Sequence, residues 1–537
     1  MGTVQRPNRL FLLVIFYLSA ALAACSSGGG SSSHSNRDIT PDSFTLTAPN
    51  GVDPTKVDFG DEIVSAPVTI TGIDGPAPVS ITGGEFKIDN GAFTSTPTTI
   101  RNGQSIQVKV QSPIKAEQTA TAILTIGGIE ASFTVTTGPD TTPPEVSILF
   151  PPLASMTEGQ TLFVRGTVKD VHGKLEDGAV TVNGVEAELE LNEAKDEGTW
   201  SVTVDLQPGE NVVEVTAIDV AKNAIEEDKP SVRSRRVESI VGESFPDDVV
   251  PFSEPISIGL HTVGGKTSAL VTDPSEQAVI AVDLLTGERT SFSDNDKQVD
   301  NPLEYPWSIH VAGGDQIYVF DWDFQNPRIY TLDGAGKREI FLRKNDPENS
   351  IVQPFGLYLR ASSNGASLYL ADRSKIIRYD VKTKDREIIS DSVNGVPDLN
   401  NPIKDAVDMT FSESKGQFIV IDALGDNSIY YVNPQTGSRN KIEINETLAI
   451  TGGSVLAGKF FVAVETTQKR ISIIDLDSGS VTPVATSEMD SVNLLREPRG
   501  VVVSPNGGYL LVVDRSLRAI VAIDLDHHHQ VVLSKFE

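Results

Sequence analysis

The stretch Glu497 to Leu533, EPRGVVVSPNGGYLLVVDRSLRAIVAIDLDHHHQVVL, decides how the rest of the chain is read. Pro498-Arg499-Gly500 opens an apolar run, Val501 to Val503, and Ser504-Pro505-Asn506-Gly507-Gly508 is a turn signal. Tyr509 to Val513 ends on Asp514, Ala519 to Ile523 ends on Asp524, and Gln530 to Leu533 is a fourth run. Runs this short, rich in β-branched residues and bounded by Gly, Pro, Asn and Asp, are strands rather than helices.

The same four-strand phrase recurs back to about residue 254. The acid closing the second strand is Asp273, Asp321, Asp372, Asp422, Glu465 and Asp514, at steps of 48, 51, 50, 43 and 49 residues. The Asp or Asn closing the third strand is Asp283, Asp333, Asp380, Asn433, Asp475 and Asp524, at steps of 50, 47, 53, 42 and 49. Two independent markers keep one period and both shorten at the fifth unit. Periods of 40 to 50 residues with four strands each predict a β-propeller. Six units give six blades, 254–293, 305–343, 353–391, 403–444, 449–487 and 497–536.

The wording of the blades resembles the NHL, YVTN and gluconolactonase-like propellers. Ser367-Leu-Tyr-Leu-Ala-Asp372, Ile377-Arg-Tyr-Asp-Val-Lys-Thr383 and Val282-Asp-Leu-Leu-Thr-Gly287 match the family phrase for strands two and three. Pro354-Phe-Gly-Leu and Pro498-Arg-Gly-Val match its first strand. The resemblance implies a fold that carries lactonases, lyases, quinoprotein dehydrogenases and pure binding proteins, so it leaves activity open.

Ahead of the repeat stand two further segments of short alternating β runs. From 43 to 139 these include Val79-Ser80-Ile81, Ser105 to Val110 and Ala122 to Ile126, separated by turn pairs such as Asn90-Gly91 and Asn102-Gly103. About seven short strands in this length predict an immunoglobulin-like sandwich. From 140 to 240, Gly198-Thr-Trp-Ser-Val-Thr-Val and Gly209-Glu-Asn-Val-Val-Glu-Val-Thr-Ala-Ile-Asp resemble bacterial Ig-like modules. Asp219 and Asn223 occupy places where such modules often carry an Asp-x-x-Gly-Asn turn, with Lys222 in place of the glycine. Both a calcium role and an ordinary hairpin loop remain open there. The expected architecture is therefore all-β, two Ig-like β-sandwiches followed by a six-bladed β-propeller at 250–537.

Residues 1–24 have basic Arg6 and Arg9, an apolar run from Leu10 to Ala24 and small closing residues, the layout of a secretory signal peptide. The run is short of the roughly 20 residues a permanent spanning helix needs. Leu22-Ala23-Ala24-Cys25 resembles the bacterial lipobox, which implies that the thiol of Cys25, the chain's one cysteine, carries a lipid. Residues 25–42 open with a Gly/Ser tract that has nothing to bury and reads as a flexible linker. The expected address is the cell envelope, anchored by lipid to the outer membrane. With one cysteine no intrachain disulfide is available, so the domains stand on packing. The net charge of −29 excludes a phosphate-neutralising surface, hence nucleic acid as a partner.

In a blade of this kind the start of the first strand and the end of the second lie on one face, around the channel mouth. Trp307, Phe355, Lys404, Asp405 and Arg499 are therefore expected on one rim, as candidates to bind a protein, peptide or glycan at the envelope. Loops Trp322 to Pro327 and Ala423 to Asn427 are expected to overhang it. The recurring acids either cap their own turns or form a cation ring. Gluconolactonase-like enzymes hold a divalent metal at this mouth. The corresponding hard-cation set here is Glu254, Asp405 and Asp514, suited to calcium, although Glu254-Pro255-Ile256-Ser257 lacks the Gly and Trp of the family phrase. The resemblance thus offers a metal-assisted hydrolase or lyase on a sugar-derived substrate as the alternative function. Lyases of this fold use histidines at the mouth; His261 and His310 are available, His310 within a strand. His527-His528-His529 reads as a solvated turn or a weak zinc or nickel site. Serine-hydrolase, phosphate-loop and zinc-protease signatures are missing from the sequence.

Overall fold

The computed structural model describes residues 37–247, 250–312, 316–344, 350–362, 365–397, 399–423, 428–456, 460–486 and 495–537. The leader, Cys25 and residues 424–427 of the fourth repeat's loop lie outside the described residues. The regular elements among those described are all strands, and they contain no helix long and apolar enough to cross a membrane. Two compact units separate: residues 37–113 with 118–137, and residues 114–117 with 138–537.

The first unit is two four-stranded sheets. In one, Glu62–Val64, Val68–Thr69 and Glu85–Ile88 all pair with Ser105–Gln111; in the other the order is Thr98–Ile100, Ala77–Thr82, Thr119–Ile126, Ile129–Thr136. Ser105–Gln111 shows why the segment folds so: Ile106, Val108 and Val110 are buried while the residues between them face outward, a period of two.

In the second unit, residues 145–205 contribute the sheet Glu188–Leu191, Glu197–Asp205, Thr161–Lys169, Glu145–Phe150, closed over a core that includes Trp200 and Phe150. Its companion sheet does not stop at the module. The strand Ala154–Thr157 runs parallel to Ser231–Arg236 on one side and meets Gln530–Lys535 on the other, with Met156 opposite Val532. Residues 140–240 and 250–537, read from sequence as separate domains, thus share one nine-stranded sheet. An edge strand with open backbone groups found a partner whose outer edge was also open.

The remainder is a series of four-stranded antiparallel meanders, consistent with a propeller: residues 257–293, 306–343, 354–391, 406–442, 452–485 and 498–535. First strands neighbour one another in chain order, and Ser257–Val263 also contacts Pro498–Val503, joining first to last. A repeated clamp makes the same joins at the outside. Arg338 donates to the Ser293 hydroxyl of the preceding meander at 2.8 Å, and Arg439 to that of Ser390 at 2.6 Å. Arg289 of the first meander reaches Ser534 of the last at 2.8 Å. All three guanidiniums are buried against carbonyl oxygens as well, Arg289 against Phe245 and Lys535 among others. A planar cation with five donors can satisfy several strand-end carbonyls at once.

Candidate functional site: the rim of the meander ring

The register places first-strand starts and second-strand ends together. Pro306 lies opposite Asp321, Pro354 opposite Asp372, Ala406 opposite Asp422 and Pro498 opposite Asp514. Immediately after each of these first residues the pairing shifts. Trp307, Phe355 and Arg499 fall in these shifts. A bulge leaves its extra residue out of the ladder and re-aims the side chain; proline, lacking an amide hydrogen, suits the position before it.

The recurring acids resolve as caps. Asp321 accepts from the amides of Glu304 at 3.0 Å and Tyr305 at 2.6 Å, Asp372 from Val352 at 2.8 Å and Gln353 at 2.6 Å. Asp422 accepts from Lys404 and Asp405, Asp514 from Arg496, Glu497 and Leu517, and Asp273 from Ser253, Glu254 and Glu276. Each ties the chain entering its own meander. Glu465, one methylene longer, accepts from the Ala449 amide and also pairs with Arg470 at 3.0 Å and accepts from Ser472. Burial pushes Asp321 up to about 6, against the pull of its two amides and of Arg328. It raises Asp372 and Asp514 as well.

This corrects the expected metal set. Asp514 is buried with its oxygens taken by amides. Glu254 is held by the Tyr305 hydroxyl at 3.0 Å, the Ser275 hydroxyl at 2.8 Å and the Arg515 guanidinium. Among the described residues, Glu254, Asp405 and Asp514 do not converge; the three acids that do are Asp140, Asp170 and Asp219. Asp405 lies beside Lys404 and Arg373 around a cavity of about 470 Å³. Its Oδ1 is buried without a hydrogen-bond partner among the described residues, and burial raises its pKa.

What the rim does assemble is an aromatic wall. Trp307 stacks with Tyr305 at 5.8 Å between centroids and meets Trp322 edge-on at 5.2 Å and Phe355 at 5.5 Å. Trp322 in turn contacts Phe355 and Phe324, the latter at 4.7 Å. Phe324 is 76% exposed, so the Trp322 to Pro327 loop presents an apolar face to solvent. Next to the wall runs a charged network. Glu497 Oε1 accepts from Arg499 at 2.5 Å and from Arg515 at 3.1 Å, and its Oε2 from Ser516 at 2.7 Å. These bonds hold Glu497 below its usual pKa in spite of burial. Arg515 continues to Glu254 and so to Tyr305, whose phenol is raised by burial and by that carboxylate. The Nε of Arg499 is buried with no acceptor among the described residues. Trp307, Phe355 and Arg499 thus share one continuous surface, while Lys404 and Asp405 line a different hollow.

Between the first strands lies a cavity of about 350 Å³. Its walls include His310, Tyr358 and Asp408. Asp408 accepts from the Gly453 amide at 3.0 Å and from its own neighbour Met409 at 2.8 Å, and burial raises it to about 6. Burial lowers His310 to about 4, so its ring is neutral at pH 7, and it packs on Tyr358 at 4.9 Å. Sequence reasoning passed over Asp408, although an acid inside AVDMTFS was the available signal. It also passed over Tyr305 and Glu497, whose signal was their shared place before the first-strand proline. The His527-His528-His529 turn keeps His527 exposed, yet the rings of His527 and His529 lie against Phe163 at 4.6 and 4.4 Å, beside the bond of Arg165 to Asp524 at 2.5 Å.

Residues 144–231 match the family described as Glucodextranase, domain B. No curated protein matches the chain. Among solved structures, a protein of unknown function from Bacteroides thetaiotaomicron is 15% identical, covering 71% of this chain and 97% of its own, with a TM-score of 0.39. A streptogramin B lyase is 16% identical over 55% of this chain and 87% of its own, TM-score 0.39. A structure named as a candidate 6-phosphogluconolactonase from Bacteroides uniformis is 14% identical over 60% of this chain and 90% of its own, TM-score 0.34. No activity follows from likenesses this distant.

Proposed function

We propose that the chain is a lipid-anchored binding protein of the cell envelope, in which Ig-like modules carry a six-bladed propeller whose rim captures a glycan, peptide or protein. The carrying observation is the continuous surface of Tyr305, Trp307, Trp322 and Phe355 beside Arg499 and Glu497. Aromatic faces take the C–H side of a sugar ring, and flanking guanidinium and carboxylate groups take its hydroxyls, so a glycan suits this surface best. The anchor rests on Leu22-Ala23-Ala24-Cys25 and the Gly/Ser tract after it. The blade count rests on the repeat period and on the Arg–Ser clamp that recurs between meanders and across the first and last.

The test is a glycan array, with capture from envelope extract, using the full chain and its Trp307→Ala/Arg499→Ala variant. The variant is expected to lose retention at least about tenfold while keeping its circular dichroism, because central aromatic and Arg contacts carry most binding energy. Equal retention by both proteins overturns the rim as the binding surface. Turnover of a lactone panel in the presence of calcium, zinc or manganese would favour the hydrolase alternative instead.

A further inference from the structure

Three acids near the start of the second unit are built unlike those of the ring. Asp140 precedes the strand Glu145–Phe150, Asp170 directly follows Thr161–Lys169, and Asp219 lies two residues past Gly209–Ala217. All three are buried, and one carboxylate oxygen from each lies within 4.8 Å of the others. Each carboxylate is oriented by local donors. Asp140 Oδ1 accepts from the amide and hydroxyl of Thr142 at 3.0 and 2.8 Å, and Asp170 Oδ1 from the amides of His172 and Gly173 at 3.1 and 2.7 Å. Asp219 accepts from the amide and side chain of Asn223 at 2.8 and 2.7 Å, across a turn in which Lys222 takes a φ of 73°. The other oxygens of Asp140 and Asp170 are left over: both Oδ2 atoms are buried and neither has a hydrogen-bond partner among the described residues. A Cβ at Gly173 would collide with both of them, so the glycine keeps their space open.

Three buried carboxylates with two unused oxygens are costly unless something positive meets them. Burial raises Asp170, and the charges of Asp140 and Asp219 raise it further. The Lys115 ammonium nearby is engaged by the Asp170 carbonyl oxygen at 3.0 Å and the Asp196 carboxylate at 2.9 Å. We propose that Asp140, Asp170 and Asp219 together hold one calcium ion. The donor set is all oxygen, which selects a hard cation, and the acids come from three separate chain segments. Calcium accepts such irregular sets, whereas magnesium demands a near-ideal octahedron. The ion ties Asp140, in the segment leading into the module, to the ends of two of the module's strands. It therefore orders that segment.

The full chain, stripped with a chelator, is titrated with calcium by calorimetry and unfolded thermally with and without the ion. A single binding event and a rise in melting temperature are expected. Asp170→Asn should weaken binding by about tenfold or more and abolish the rise, since even outer-sphere changes to metal sites cost this much. Asp140→Asn, in the segment outside the strands, is the second variant and should behave alike. In the calcium-free state both variants should melt at or above the wild-type temperature, because each removes one of three mutually repelling charges. Absence of a binding heat, wild-type calcium binding by both variants, or an equal response to magnesium overturns the proposal. So does destabilisation of the variants that is the same with and without calcium, which marks the carboxylates as structural.

Discussion

The ring acids and the Asp140–Asp170–Asp219 cluster are both sets of buried carboxylates, and they differ in who answers them. Asp273, Asp321, Asp372, Asp422 and Asp514 each receive two amide hydrogens from the chain entering their own meander, and Asp273 and Asp514 a third from the turn that follows them. In the cluster, local donors fill one oxygen of Asp140 and of Asp170 and leave the second buried and unmet. A buried carboxylate whose oxygens are filled from its own turn is a structural device. One whose oxygens are aligned and left open is a site in waiting. Residue type does not separate the two; the count of donors within reach does.

Removing a filled acid should have the largest effect. Asp273→Ala strips the acceptor from the amides of Ser253, Glu254 and Glu276 and is expected to cost about 3 kcal/mol, read as a shift in denaturant midpoint. A cost near zero would mean that water or a cation answers those amides, which erases the contrast with the cluster. The next effect appears with pH. The folded pKa of Asp321, about 6, lies above its ordinary 3.8, so folding favours the protonated form. Its contribution is present in full below pH 4 and is lost as the pH rises towards 6. Asp321→Asn should therefore gain on wild type over that window, by on the order of 2 kcal/mol. Parallel stability-against-pH curves for the two proteins would remove this difference. The smallest effect belongs to an exposed acid. Asp333 accepts from Ala335 and Lys337 in an open turn, and Asp333→Ala is expected to cost below about 1 kcal/mol. A loss as large as that of Asp273 would show that burial is not what distinguishes the ring.

Much of the rim was legible in advance. The sequence places Trp307, Phe355 and Arg499 at the start of a first strand, and they meet on one face because each follows a proline at the same register position. Lys404 and Asp405 have the same place in the sequence pattern but lie on another hollow, since in that meander Ala406 stands where the proline would and Val407 takes the shifted place. The charged network that Arg499 joins through Glu497 is harder to see in the sequence. Glu497 is two residues away, yet Arg515 and Glu254 come from a strand end and from the far side of the ring closure. Contacts between first and last repeats have no signature in local spacing.

By itself the order of residues determined the strands, their alternation, the repeat period and the acids that close each unit, because these depend on side chains a few positions apart. Folding decided the rest. It paired Ala154–Thr157 with Gln530–Lys535, set Arg165 on Asp524, drew Asp408 into the central cavity and brought Asp140, Asp170 and Asp219 together. Each of these joins groups far apart along the chain. Whether a buried charge ends up paired, capped or open is settled only when every neighbour has its place.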